Sequence, residues 1–573
     1  MTGPFDTIDM QCLNPEQARL MDSISKEVRA VYNAVITDLS SRNRDSIDWW
    51  VSNIASRNVF VSQLFSDCCR LYMIERLVGD GISIGTVRVK SRALAETLRR
   101  YFSARGLSAR VECRVGLSER LARAFRRLCG YPYQVFRFLA SFVSARLTRK
   151  YQRLSPDGQL TIIDTFVFED SFRNGAYIDR YYCGMLDFLS PLERKTIWYT
   201  PTFYSVRVKS FLDLFLKMRT ASENFLLKED LLRMSDYFYA LTYPFRAARF
   251  GFADIMFSGF DITPLIREEL SAGIFSSSSM EALLKYRFAQ RLCESGVKLR
   301  LIVDWFENQP IDRGANAGFR VFFPETHIIG YQGFVVTTNY LGLYPTDMEK
   351  ECGVIPHEVA VSGKGLVGRA REFCSSLEVS VAPAFRYAEL SDKRKHRPEH
   401  SGFSILIALP MMWRDAADIL MIADQVIGDS DFSDVTFLIK PHPTHAAGLV
   451  EDFLKSKERE NVLFINGAFA ECLEKARLLI SNVSNVCMET LAMGIPVVII
   501  GSCSGLTHNP IPENISSDIW RLCYCREELK EAICFFKNHG LPRERLEAIG
   551  DSILDDYYEP VTETSARRFL CLE

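Results

Sequence analysis

The sequence predicts an α/β protein of two doubly wound, Rossmann-like domains, and three observations predict it. Residues 437–500 begin FLIKPHPTH and end LLISNVSNVCMETLAMGIPVVII. Their apolar runs, VTFLIK and ARLLIS, are bounded by turn formers and read as buried parallel strands. The second run passes Ser484, a good N-cap type, into a helix that carries Glu489 and stops at Gly494 before IPVVII. Strand, loop, strand, short turn, helix, strand is half of a doubly wound sheet, which binds ligands beyond the carboxyl ends of its strands. The N-terminal half also alternates strand and helix patterns, and 573 residues suffice for at least two cores.

Composition removes several classes of function. With 47% hydrophobic and 24% charged residues the chain is globular. A net charge of -2 gives no basic field for nucleic acid. The start, MTGPFDTIDMQCLNPEQ, lacks the features of a secretory signal, and no apolar run is long enough to span a bilayer. The 16 cysteines form no CxxC pairs and read as reduced thiols, so a cytoplasmic location is expected. No HExxH or Cys/His ligand spacing occurs, so neither a metal nor a cofactor is expected.

In chain order, residues 1–45 read as a polar helix packed on the outside. GTVRVK (85–90), the helix SRALAETLRRYFSARG and VECRV then read as the beginning of the first Rossmann-like sheet. Residues 117–153 are rich in arginine, with Glu119 as the only acid, and Pro132 is expected to split them into two amphipathic helices. Leu117, Leu121, Phe125 and Leu128 share a face of the first, and Val135, Phe138, Leu139, Phe142 and Leu147 line the second. Such helices either lie on an anionic membrane or pack on their own domain with a solvated basic face. LTIIDTFVF (160–168) is a buried strand. A long helical section covers about 208–296, and LRLIVDW then ends in Phe306, Glu307, Asn308 and Gln309. Glu307 at this strand end suits a general base or a clamp on an acceptor hydroxyl; the alternative is an ion pair with Arg313 that holds the turn. The charged run 389–402 is the linker, which gives domains 1–388 and 403–573. In the second, Asp415 follows the first strand, and Asp418 is a reserve candidate.

At the strand ends of the second domain, Lys440, His442 and the hydroxyls around Ser481 and Ser484 offer donors to a nucleotide phosphate, as do the amides of the helix start. Glu489 can accept both hydroxyls of a ribose. The plainer alternatives are that His442 caps a strand and Ser484 a helix.

KPHP followed by SNVSNVCMETLAMGIPVVI resembles the donor-binding domain of GT-B glycosyltransferases. It is most similar to the bacterial branch with His-Pro and serine motifs, which includes sialyltransferases and Kdo transferases using CMP-sugars. CDP-glycerol glycerophosphotransferases share a similar pattern. The resemblance implies a GT-B-like fold with a helical insertion in the first domain and a nucleotide-binding set of Lys440, His442, Pro443, Ser481, Asn482, Ser484, Asn485 and Glu489. Related Kdo transferases carry a nucleophilic aspartate in the loop where Asp415 falls; helix capping is its other reading. In the first domain ENQP, GYQ and APAFRY resemble a family of bacterial surface-carbohydrate biosynthesis proteins, with Ile311, Asp312 and Gly333 departing from its pattern. The implied activity is metal-independent sugar transfer from a CMP-linked donor to a lipid-linked surface glycan, with catalytic Asp415 and Glu307 and peripheral membrane association through 117–153. A nucleotide-sugar 2-epimerase and a non-catalytic assembly partner at the membrane are the alternatives. GT-B proteins often return their C-terminal helix onto the first domain.

Overall fold

The computed structural model describes residues 5–149, 159–395, 402–446, 448–455 and 458–572. Two six-stranded parallel sheets organise it, each made of apolar runs buried on both faces. The first has the order Glu378–Val381, Glu358–Val361, His327–Gln332, Leu299–Trp305, Leu160–Val167, Ile197–Phe203. Pro201 is tolerated because Ile197–Phe203 is an edge strand. The chain turns back between Leu160–Val167 and Leu299–Trp305, so the topological switch point lies between those neighbours. The second sheet runs Val462–Phe464, Val435–Lys440, Phe403–Ala408, Leu478–Ser481, Val497–Ile500, Trp520–Cys523. Counted within that domain the order is 3-2-1-4-5-6, with the switch point between Phe403–Ala408 and Leu478–Ser481. This is the expected GT-B-like arrangement of two Rossmann-like units.

Three expectations need correction. GTVRVK and VECRV do not open the first large sheet. With Thr7–Asp9 they form a separate three-stranded parallel sheet, Thr7–Asp9, Thr86–Val89, Arg110–Cys113. In Thr86–Val89 only every second residue is fully buried, as in a strand covered on one face. The helix Pro15–Ser41, opened by an Asn14–Gln17 capping box, is not external. Met21, Ile24, Val28, Tyr32, Ile36 and Leu39, spaced three or four apart, are buried. Its polar face bridges the two halves: Arg29 pairs with Glu372, while Asp22 accepts from the Thr507 amide (2.8 Å) and the Tyr524 hydroxyl (2.7 Å). Finally, Pro132 does not split 117–147, because one helix, Leu117–Leu147, runs through it. A proline removes one backbone hydrogen bond, and tertiary contacts hold the remainder. Arg137 and Arg146 donate to the Val206 and Leu232 carbonyls, and Ser141 to Glu229. The side chains of Leu117, Leu121 and Leu128, and residues 150–153, lie outside the described residues.

The charged run 389–402 includes a helix, Leu390–Lys395, whose Arg394 pairs with Asp551; His396 and His400 lie outside the described residues. The C-terminal segment returns to the first domain. The Glu559 amide donates to Ser362 O (2.7 Å), the Ala384 amide to Glu559 O (2.9 Å), and Ala566 and Leu570 are fully buried there. No helix among the described residues is long and apolar enough to cross a membrane.

Candidate functional site

The second-domain switch point gathers the loops that follow three strands. After Phe403–Ala408 the chain enters the helix Trp413–Ile427, whose first turn no side chain caps, leaving its amides to an anion. Asp415 in that turn caps nothing; its backbone carbonyl accepts from Asn482 Nδ2 (3.2 Å). Burial pushes its carboxyl up to about 6, helped by Asp418 and opposed by Arg414. An Asp415 that acts in its ionised form therefore gives a rate that rises with pH through a midpoint of about 6. Asp415→Asn should leave a residual rate, about 10²–10⁴-fold lower, without that limb; a limb that survives in the variant contradicts the assignment. Asp418 is no substitute, since it is buried and accepts from the Ser502 (2.8 Å) and Ser504 (2.9 Å) hydroxyls.

The loop after Val435–Lys440 places His442 half-buried beside this turn. The Thr444 amide donates to its Nδ1 (3.3 Å) and Thr444 Oγ1 lies 2.8 Å from the same atom, while Thr444 Oγ1 also reaches Met411 O (3.4 Å). A ring that accepts at Nδ1 carries its proton on Nε2. Burial, then His445 and Lys440, lower its pKa, so the imidazole is neutral near pH 7 and presents Nε2–H as a donor. Lys440 is half-buried and Pro443 exposed.

The serine motif behaves differently from expectation. Ser481 is fully buried and donates to Ala408 O (2.7 Å), tying the two strands that flank the switch point. It is spent on the scaffold, as is Asn482, which bonds Asp415 O and accepts the Val483 amide. The helix Val486–Ala492 has Asn485, not Ser484, as its N-cap; half-buried Ser484 accepts from the Val486 amide at 3.4 Å. Half-buried Asn485 keeps a buried Oδ1 without a partner. The helix ends as expected, with the Gly494 (φ +70°) and Ile495 amides donating back to Leu491 O and Thr490 O.

The first domain presents Glu307 opposite. Its carboxylate accepts from Trp305 Nε1 (2.9 Å) and Gln309 Nε2 (2.5 Å). It makes no pair with Arg313, which binds Glu349 instead. The turn is fixed from below by Asp312, which accepts the Glu307 and Gln309 amides (both 3.0 Å), and by Asn308, held at φ +52°. Such a left-handed non-glycine residue persists only where its surroundings dictate it. Here Asn308 Nδ2 donates to Gly342 O (2.8 Å), and Arg313 Nε donates to Asn308 Oδ1 (3.0 Å). Between the domains stands Arg386 of APAFRY, accessible yet surrounded by charge. Tyr387 first, then Glu489, Tyr181 and Glu307, hold its pKa up against burial. Arg386 thus senses one candidate carboxylate from each domain, and neither spacing nor periodicity marks it in the sequence. Half-buried His508 packs on Phe60 (5.2 Å between rings), and burial lowers it to about 4, with Arg414 adding to the effect. At Gly333 a Cβ would lie 2.6 Å from the Tyr331 ring, so the space a side chain would take there is filled by this chain's own aromatic core. Among the described residues, no three His, Cys, Asp or Glu side chains are grouped to hold a metal.

No protein-family model and no curated protein matches the chain. Among solved structures it is similar to an S. aureus MnaA–UDP co-structure, at 11% identity over 73% of this chain and 98% of that one, with a TM-score of 0.41. It is also similar to UDP-GlcNAc 2-epimerase from Neisseria meningitidis bound to UDP-GlcNAc (10%, 72% and 99%, 0.43). A third is the lipopolysaccharide outer core galactosyltransferase WaaB (10%, 72% and 99%, 0.40).

Proposed function

We propose that the protein is a metal-independent glycosyltransferase that moves a sugar from a CMP-linked donor to a lipid-linked bacterial surface glycan. The observation that carries this reading is the pair of facing sites: a phosphate-suited crevice at the second switch point and a carboxylate, Glu307, across the cleft, with Arg386 in the field of both. In the reaction the acceptor hydroxyl oxygen bonds the anomeric carbon and its proton passes to Glu307. The bond from that carbon to the phosphate oxygen breaks, and CMP leaves with the electron pair. His442 Nε2–H, Lys440 and the amides that open Trp413–Ile427 meet the charge developing on the phosphate, and ionised Asp415 in the same turn meets the positive charge developing at the anomeric carbon. Glu489 and Ser484 are the remaining donor-side contacts. Mass spectrometry of reactions with CMP-sialic acid or CMP-Kdo tests this: sugar added to a glycan acceptor, with matching release of CMP, is the expected product. A converted sugar formed from the nucleotide-sugar alone would contradict it and favour an epimerase.

Peripheral attachment to an anionic membrane belongs to the same proposal. The helix Leu117–Leu147 packs inward through Phe138 and Ala145, yet its outer face exposes Phe136, Leu139, Val143 and Leu147, three or four residues apart. Arg146 in its last turn and Arg149 just beyond its end are exposed, as are Lys209 and, paired with Glu169, Arg207 on the adjoining segment. An apolar stripe bordered by cations suits the headgroup region of an anionic leaflet. The protein should sediment with phosphatidylglycerol vesicles at low salt, less so as salt rises, and not with pure phosphatidylcholine. Leu139→Glu with Val143→Glu should abolish this; equal binding to both vesicle types, or to neither, contradicts it.

A further inference from the structure

The first domain has its own switch-point cavity, of about 500 Å³, under the helix Leu117–Leu147. Gln134, Arg137, Phe138 and Ser141 of that helix form its roof. Phe166, at the carboxyl end of Leu160–Val167 beside the switch point, and Thr202 and Phe203, at the end of the neighbouring edge strand Ile197–Phe203, form its floor. Phe275 and Ser278 close one side, and Gln309 and Tyr204 the other. The last two connect it to the reaction centre, since Gln309 holds the Glu307 carboxylate and Tyr204 lies in its field.

The walls specify a chemical class. Two residues that line the cavity, Thr202 and Tyr237, are 3% and 4% exposed and carry buried hydroxyls without a hydrogen-bond partner. Orphaned buried hydroxyls cost free energy unless something bonds them. The charged groups cancel: Lys228 lies between Glu229 (2.9 Å) and Glu281 (2.8 Å), Ser141 donates to Glu229, and Arg137 is the other charged liner, donating to Val206 O. Two cations against two carboxylates leave no net field for an anion. Aromatic faces beside hydroxyl and amide groups, in a volume of small-ligand size, match a polyhydroxylated ring that shows C–H on one face and O–H at its edge.

We infer that this cavity binds an uncharged saccharide, the unit of the acceptor that receives the transferred sugar next to Glu307. The inference rests on the transferase reading for the word acceptor and on the cavity alone for the saccharide. Saturation-transfer NMR with methyl β-glucoside, methyl β-galactoside and N-acetylglucosamine, against glucuronate as the anionic probe, tests it on the full chain. At least one neutral sugar should give signal and glucuronate little. Thr202→Val, nearly isosteric, should weaken binding about fivefold, as for one lost hydrogen bond, and Ser278→Trp should block the cavity. Melting curves of both variants report whether they fold. No signal from any neutral sugar, preference for glucuronate, or binding unchanged in both folded variants would overturn the inference. CMP calorimetry on the same sample separates the two readings. CMP binding without sugar binding removes the cavity assignment alone, and sugar binding without CMP binding removes its role as acceptor site.

Discussion

Glu349→Ala should lower the stability of the protein by about 3–5 kcal/mol, seen as an earlier urea midpoint with little change in slope. Glu349 is 2% exposed and sits between two arginines that are themselves almost fully buried, Arg57 (2.8 Å from Nη2) and Arg313. Those guanidinium groups reach further, to Asn33 Oδ1, Tyr344 O, Ala55 O and Asn308 Oδ1. Removing the carboxylate strands two cations in a low-dielectric core, which is why the cost exceeds that of a surface pair. Burial pushes the Glu349 carboxyl up, but Arg313 and Arg57 outweigh it and hold the group below its usual value. A depressed carboxylate contributes stability that is fully present above its unfolded pKa, about 4.5, and is lost as pH falls through the folded value. The same network fixes Asn308 in its left-handed conformation, so activity should fall further than the folded fraction does. An unchanged midpoint would show that the buried trio contributes nothing.

His442→Ala should cost about 2.7–4 kcal/mol of transition-state stabilisation, a fall of about 10²–10³ in turnover, with the fold intact. The ring is half-buried, neutral and oriented by Thr444, so its Nε2–H needs no rearrangement to meet charge developing on a leaving phosphate. The loop itself is held by Thr444, the Met411 carbonyl and the Trp413–His445 ring contact, which survive the substitution. Turnover equal to that of the unaltered protein would remove His442 from the mechanism.

Much of the frame was legible because it depends on local pattern. LRLIVDW and VTFLIK are apolar on both faces, which only a doubly covered parallel strand requires. Pro310 and Asp312 start a helix right after the short loop that carries Glu307. What escaped depends on partners distant in sequence. Glu349 lies 292 residues from Arg57 and in a stretch, PTDMEKE, that reads as an exposed helix start. Arg386 acquires its meaning only when both domains face it. Ser481 carried the expected residue type at the expected place, yet its hydroxyl is used to join two strands, a role that spacing alone does not separate from phosphate binding. The first helix was read from its polar face, and the buried stripe on its other side is what joins the domains.

The most direct measurement is calorimetric titration of the purified protein with CMP, CDP, UDP and GDP, with and without Mg²⁺. CMP is expected to bind at a single site, independently of Mg²⁺, and far more weakly in His442→Ala. Binding of none of the four nucleotides would contradict this expectation.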